Sequence, residues 1–163
     1  MNNNSLSAPS LIISSFVVAL LLTIVPVPDW GTHLRPQWLS LLIIFWTLHA
    51  PSQVGIFAAW SSGLLLDVLT GNLLGSQALG NALIAYLALL GYQRLRIFPI
   101  WQQSLSVFVL LLLERLIHFW VIDLSKGVSP GLEFWIASAV GMFIWPWLSI
   151  LMTELQIRSN PAS

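Results

Sequence analysis

The sequence predicts an all-α integral membrane protein with six transmembrane helices in one bundle, and three observations lead to that prediction. Of the 163 residues, 57% are apolar and only 7% are charged, whereas an ordinary soluble domain carries about 25% charged residues. Six apolar stretches of helix length are separated by short segments that contain proline, glycine or polar residues. No charge run, low-complexity linker or repeat divides the chain, so we expect a single membrane domain over residues 1–163.

The composition also excludes several classes of function. The formal net charge is zero and there is no basic run, so nucleic acid is not an expected partner. The chain has no cysteine, which excludes disulfides, thiol catalysis and thiolate metal sites. Residues 1–10 lack the basic segment of a signal peptide, and no A-x-A cleavage site follows the first apolar run. We therefore expect that run to be a retained helix.

The boundaries of the spans follow from prolines and glycines. The first apolar run ends at Pro26, and Pro36 suits the first turn of the second helix. The second run covers about 14 residues, roughly 21 Å of helix, against a bilayer core of about 30 Å. Either it continues through Pro51 as a kinked helix, or a turn at residues 49–53 separates two short spans, which we favour. The predicted spans are about 8–27, 37–50, 53–70, 75–92, 100–122 and 132–153, the last interrupted by Pro146.

An even number of spans places both termini on one side of the membrane. Basic residues near the span ends are Arg94, Arg96 and Arg158 on the side of the termini, and Arg35 and Lys126 on the other. The excess favours cytoplasmic termini by the positive-inside rule. The connections around Gly31, Asn72 and Gly127 would then lie outside.

One stretch, from Gly55 to Gly75, carries small residues at a spacing of four. The row is Ala59, Gly63, Asp67, Gly71 and Gly75. On a helix such a row lies on one face, and small residues let membrane helices approach closely. We interpret the row as a seam at which another helix docks. Asp67 either caps a helix end or holds a functional polar contact, because an ionisable group near lipid is usually paired.

A second polar group lies in the fifth span, where Glu114, Arg115 and His118 fall within about one turn. One interpretation is a proton or ion relay, possible with Asp67 as a further member, because ionisable groups in membranes often mark pathways. The interpretation we favour is an internally neutralised trio that docks the fifth helix on its neighbours.

The sequence contains no recognisable motif for catalysis or for binding a cofactor. His33 and His49 lie at opposite ends of the second span, and no cluster with metal-ligand spacing occurs. Neither a G-x-S-x-G nucleophile elbow nor a phosphate-binding G-x-x-x-x-G-K-[ST] loop is present. We therefore expect no catalytic residues, no metal, no cofactor and no enzymatic activity.

Three stretches together resemble a known family. They are Arg35-Pro-Gln-Trp38-Leu, then Gly63-Leu-Leu-Leu-Asp67-Val-Leu-Thr-Gly71 with Leu74-Gly75, and Phe134-Trp135 with Trp145-Pro-Trp147. With the length and spacing, they are similar to the rod shape-determining protein MreD family of Gram-negative bacteria, from about Leu11 to Met152. The family places an acidic residue on the fifth helix, which Glu114 matches, whereas no family role attaches to Arg115 or His118.

The resemblance implies a multi-pass protein of the bacterial inner membrane that belongs to the cell-elongation machinery. Its implied partners are membrane lipid, the bitopic scaffold MreC, the actin-like MreB, and the glycosyltransferase and transpeptidase that insert lateral peptidoglycan. The implied fold is similar to the substrate-binding membrane subunits of energy-coupling-factor transporters. The residues expected in partner contacts or helix packing are Gly63, Asp67, Gly71, Gly75, Arg35, Trp38 and Glu114.

The same kinship supplies an alternative function, a small-solute-binding subunit of a transport complex. Such a subunit needs a pocket with several convergent polar groups. Polar side chains inside the predicted spans are scarce, so we favour a non-enzymatic assembly protein.

Overall fold

A computed structural model describes residues 8–127 and 131–159. Within them the chain is all-helical, and the six α-helices predicted from the sequence are confirmed. A short 3₁₀ helix, Asp29–Leu34, connects the first two. The helices are α1 (Ala8–Ile24), α2 (Trp38–His49), α3 (Ile56–Thr70), α4 (Ser76–Leu95), α5 (Ile100–Lys126) and α6 (Glu133–Ser159).

Helix α2 lies at the centre of the bundle. Every residue from Leu39 to Leu48 is buried, and each of the other five helices contacts α2. A helix that is apolar on all sides is either a core helix or a membrane span, and here it is surrounded by protein. Its 12 residues cover only about 18 Å, and this length is sufficient because neighbouring helices, and not lipid, cover its sides.

The helices are interrupted at Pro51 but not at Pro146. Helices α2 and α3 are separate, and the N–H groups of Gln53 and Val54 both donate to the Ala50 carbonyl at 3.0 Å in the turn between them. Helix α6, by contrast, runs without a break through Pro146, where the sequence led us to expect an interruption. Proline is tolerated inside membrane helices because neighbouring helices and local adjustments compensate for the missing backbone hydrogen bond.

The outer surface of the bundle is apolar. Many large apolar side chains on α3 and α6 are exposed, with Phe57 at 78% and Phe143 at 74%, and similar side chains line the outside of α1, α4 and α5. Within the described residues, α5 and α6 are long and apolar enough to cross a membrane, and α1, α2 and α3 are shorter apolar helices. Such large contiguous apolar surfaces mark a protein that meets lipid or other proteins.

Polar side chains are found inside the bundle, where they join the helices in pairs. The Trp46 indole donates to Ser15 Oγ at 2.9 Å (α2 to α1), Ser40 Oγ donates to Asn81 Oδ1 at 2.9 Å (α2 to α4), and the Trp145 indole donates to Gln103 Oε1 at 3.1 Å (α6 to α5). Hydrogen bonds between side chains are one of the forces that hold membrane helices together, since lipid tails leave little hydrophobic drive.

Candidate functional site at the beginning of helix α4

The Asp67 carboxylate, near the end of α3, caps the first turn of α4. Asp67 Oδ2 accepts the Gly75 N–H at 2.9 Å, and Oδ1 accepts the Ser76 hydroxyl at 3.0 Å and the Gln77 N–H at 3.1 Å. The side chain is completely buried. The first N–H groups of a helix have no partner within it, and a negative charge there is favoured by the helix dipole. Asp67 therefore supplies a cap from a neighbouring helix to α4.

The backbone of the same residue ends α3. The Asp67 carbonyl accepts the N–H groups of Gly71 and Asn72, the second at 3.1 Å. Gly71 adopts φ +66 and Gly75 φ +99, left-handed conformations that glycine reaches without steric penalty. One residue thus terminates α3 through its backbone and starts α4 through its side chain, and the two glycines make the reversal possible.

Gly63 lies one turn before Asp67 on the same face of α3. A Cβ atom at Gly63 would lie 2.7 Å from Ala78 Cα and 2.9 Å from Ala78 N, so no side chain fits at this crossing. Ala59, a further turn back, is also completely buried. The small-residue seam of α3 is thus covered by α4 of the same chain, and Gly63 is not available to a partner helix.

Glu114 of α5 meets α4 close to the Asp67 cap. It is 2% exposed, and a Cβ atom at Gly80 would lie 2.9 Å from Glu114 Cγ. Gly80 follows the residues that Asp67 caps by only two positions, so the two carboxylates lie at similar depths along α4, which the sequence alone did not establish. The Asp67 oxygens are already occupied by four donors of α4 and its N-cap.

The partner of Glu114 comes from the segment that opens α2. Gln37 Nε2 donates a hydrogen bond to Glu114 Oε2. Neighbouring polar atoms remain unpaired within the described residues, namely Gln37 Oε1 and the Nδ2 of Asn81, a residue that is fully buried. Glu114 therefore ties α5 to the beginning of α2 and packs on α4, and a link between residues 77 positions apart gave no local signal in the sequence.

Arg35 and Trp38 act on the other side of α2. The Arg35 guanidinium donates to the Leu22 carbonyl at 2.9 Å and to the Val25 carbonyl at 2.5 Å, which satisfies acceptors at the carboxyl end of α1. Trp38, the first residue of α2, lines an apolar groove between α1 and α6. The Arg-Pro-Gln-Trp segment thus joins α2 to α1, α5 and α6.

Glu114, Arg115 and His118 all contact neighbouring segments of the bundle, and Glu114 attracts Arg115 electrostatically. The internal neutralisation of the trio that we favoured from the sequence stays a prediction. Glu114 turns towards α4, whereas the Arg115 guanidinium lies 4.5 Å from the centre of the Phe134 ring on α6. The His118 ring is nearly parallel to the same ring, with centroids 6.1 Å apart. Phe134, noted in the sequence only as part of a motif, is thus contacted by both side chains.

Metal chemistry finds no support in the described part of the chain. No group of three or more histidine, cysteine or acidic side chains is placed to hold an ion there. His49 uses Nδ1 in a 2.9 Å contact with the Phe45 carbonyl and stacks on the Phe45 ring. The side chain of His33 lies outside what the structure describes.

The fold and these contacts define a helical membrane protein, apolar outside and tied together by polar contacts inside. A family model described as rod shape-determining protein MreD matches residues 4–155. A protein of Haemophilus influenzae named rod shape-determining protein MreD is 33% identical over 149 residues, which cover 89% of this chain and 90% of the relative. The chain belongs to the MreD family, and its role lies in the determination of rod cell shape. No solved structure matches it.

Proposed function

We propose that this chain is a six-span, non-enzymatic component of the cell-elongation complex in the bacterial inner membrane. In this proposal it assembles the bitopic scaffold MreC, the actin-like MreB and the lateral peptidoglycan synthases. The observation that carries the proposal is the distribution of polar groups. Asp67, Glu114, Gln103 and Ser40 all contact other segments of the bundle, so these buried polar groups are occupied, and large apolar side chains cover much of the outside of the helices.

The apolar grooves of the surface support assembly better than solute binding. The groove between α1, α2 and α6 has a volume of about 510 Å³ and is lined almost entirely by apolar side chains such as Trp38, Leu42 and Leu148. A vitamin-like solute requires several convergent polar groups, whereas a groove of this kind suits an apolar helix or a lipid chain. The likeness to energy-coupling-factor subunits, which the family resemblance implies, stays a prediction, and the rival transport function rests on it.

Shape and partner binding together test the proposed function. Cells that lose the chain should turn from rods to spheres and recover on complementation, and MreC or a peptidoglycan synthase should be retained when the tagged chain is purified in mild detergent. Retention of a vitamin-like molecule and an ATPase module, with no effect of chain loss on cell shape, would instead establish the transport function. The variant Gly63→Leu is unsuitable for mapping a partner, because it would disrupt α3 against α4.

The proposed topology has both termini in the cytoplasm and the connections around Gly31, Asn72 and Gly127 outside. Because the chain has no cysteine, single cysteines can be placed one at a time. Cysteine at Asn72 should react with a membrane-impermeant thiol reagent in cells with a permeabilised outer membrane, and cysteine at Ser5 or Ser163 should react only after the inner membrane is opened. Labelling of either terminus before that step would reverse the orientation.

A further inference from the structure

Arg115 and His118 lie about one turn apart on α5, and each has a buried nitrogen atom without a hydrogen-bond partner in the described part of the chain. No ion pair joins Arg115 to a carboxylate among the described residues, and its Nε is buried without a hydrogen-bond partner. His118 is 8% exposed, and its Nδ1 is likewise buried and unpaired. Glu114 attracts Arg115 electrostatically, but no direct ion pair joins the two side chains in the described residues. Ionisable side chains within membrane helices are costly and are almost always paired directly, so these unpaired nitrogen atoms leave room for a direct partner from another molecule.

Glu114 and Asp67 are both engaged in hydrogen bonds with other groups. Glu114 precedes Arg115 directly, but its side chain packs on Gly80 and accepts a hydrogen bond from Gln37. Asp67 is occupied by the N–H groups of α4. Arg115 instead lies over the face of the Phe134 ring, with which the His118 ring is also stacked. A guanidinium carries five N–H donors, and a contact with a ring face uses none of them as a conventional hydrogen bond.

The position of the pair indicates what kind of molecule carries the missing anion. Gln37, Gly80 and Phe134, which surround residues 114–118, belong to the beginnings of α2, α4 and α6, so the pair lies near the end of the bundle at which three helices begin. Around the same helix, Leu116 lies about 100° from Arg115 and is 41% exposed, and Trp120, about one turn after Leu116, is 62% exposed. A cation beside an exposed apolar surface matches a lipid with an anionic headgroup, and arginine is well suited to phosphate.

We propose that Arg115 and His118 bind a phosphate group, carried by an anionic lipid whose chains lie along α5. The guanidinium donates two hydrogen bonds to phosphate oxygens, and His118 donates a third. Phe134 positions both side chains by its ring face. The site belongs to this chain alone and requires none of the elongation partners.

The test is native mass spectrometry of the purified chain in a neutral detergent. The protein is titrated with dioleoylphosphatidylglycerol and, as a control without phosphate, with dioleoylglycerol. We expect the phosphate lipid to bind at least about tenfold more tightly, and Arg115→Gln to abolish that preference. The matched control is Arg158→Gln, which removes an exposed arginine paired with Glu154 at the other end of the bundle and should leave the preference intact.

Equal retention of the two lipids by the wild-type chain, or equal losses in the two variants, would overturn the proposal. Competition with inorganic phosphate at millimolar concentration shows whether the ligand is free phosphate or the phosphate of a lipid. Displacement of the lipid by phosphate assigns the site to free phosphate, and its failure to displace assigns the site to the lipid. Photolabelling of the wild-type chain tests the site without relying on a variant that could misfold. A phosphatidylglycerol with a photoreactive headgroup should label the peptides that contain Arg115 or Phe134. Labelling confined to other peptides would contradict the site.

Discussion

The Asp67 carboxylate lies 2.9 Å from the Gly75 nitrogen and accepts its N–H, so that a side chain of α3 holds the backbone at which α4 begins. The same carboxylate also accepts the N–H of Gln77 and the hydroxyl of Ser76. The α3–α4 hairpin therefore depends on one buried charge, and this dependence can be measured.

Replacement of Asp67 should lower the stability of the chain in two steps. Asp67→Asn keeps one acceptor but loses the charge near the helix dipole, at a cost of about 1 kcal/mol. Asp67→Ala leaves buried N–H groups unpaired and should cost about 2 kcal/mol or more. Thermal unfolding in detergent measures both. Asp123→Asn, which changes an exposed carboxylate on α5, should leave the midpoint unchanged. A midpoint for Asp67→Ala equal to that of the wild type would contradict the cap.

Asp67 can be tested for a functional role in addition to its capping of α4. The sequence led us to expect a functional polar contact here, and that expectation stays a prediction. The variant Asp67→Asn separates the roles, since a loss of rod shape in cells that contain normal amounts of folded protein would indicate a function of the charge. Normal shape and normal partner retention would leave Asp67 with its structural role.

Gly63 should tolerate no side chain, in contrast to a second glycine beside the same helix. The added methyl of Gly63→Ala would meet the Ala78 backbone at 2.7 Å, and overpacking of this kind costs about 1–3 kcal/mol. Gly55→Ala serves as the control, because nothing lies within 4 Å of a Cβ atom there and Gly55 has an ordinary negative φ of −107. Thermal unfolding of the two variants gives the comparison, and equal midpoints would show that α3 and α4 can separate without loss.

The sequence predicted where the helices lie along the chain better than it predicted which helices pack against each other. Apolar runs and the prolines beside them located all six helices, because span length and helix termination are local properties of the chain. The central position of α2 could not be read from its uniform apolarity, since a lipid-facing helix and a helix enclosed by protein have the same composition. Pro146 misled the prediction because proline breaks an isolated helix but is tolerated in a packed membrane helix.

The candidate site was visible in part for the same reason. The spacing of Gly63, Asp67 and Gly71 is a local pattern, and it indicated a close helix contact although not that α4 makes it. The contacts of Glu114 with Gln37, and of Arg115 with Phe134, join segments far apart in sequence. No periodicity or motif specifies such pairs, so only the folded chain could reveal them.

Gln37 and Glu114 should be energetically coupled. A double-mutant cycle with Gln37→Ala and Glu114→Gln tests the hydrogen bond between them, and the coupling should be about 0.6–1.7 kcal/mol, the range typical of membrane helix contacts. Gln37→Ala combined with Gln103→Ala is the control cycle, because Gln103 bonds Trp145 and the Leu95 carbonyl instead. That pair should be additive. Coupling of the same size in both cycles would mean that the variants act through general loosening of the bundle.

Two tryptophans on α6 provide the last comparison. Trp145 is fully buried, and its indole N–H donates to Gln103 Oε1 at 3.1 Å, while Trp147, two residues further on, is 77% exposed. Trp145→Phe removes the donor, reduces the buried volume and leaves Gln103 Oε1 without its partner, which should destabilise the chain by about 1–3 kcal/mol. Trp147→Phe should change stability by no more than about 0.5 kcal/mol. Both values come from thermal unfolding in the same detergent. A larger loss of stability for Trp147→Phe than for Trp145→Phe would contradict this arrangement. It would mean that the face of α6 that carries Trp147, and not the face that carries Trp145, packs against the bundle.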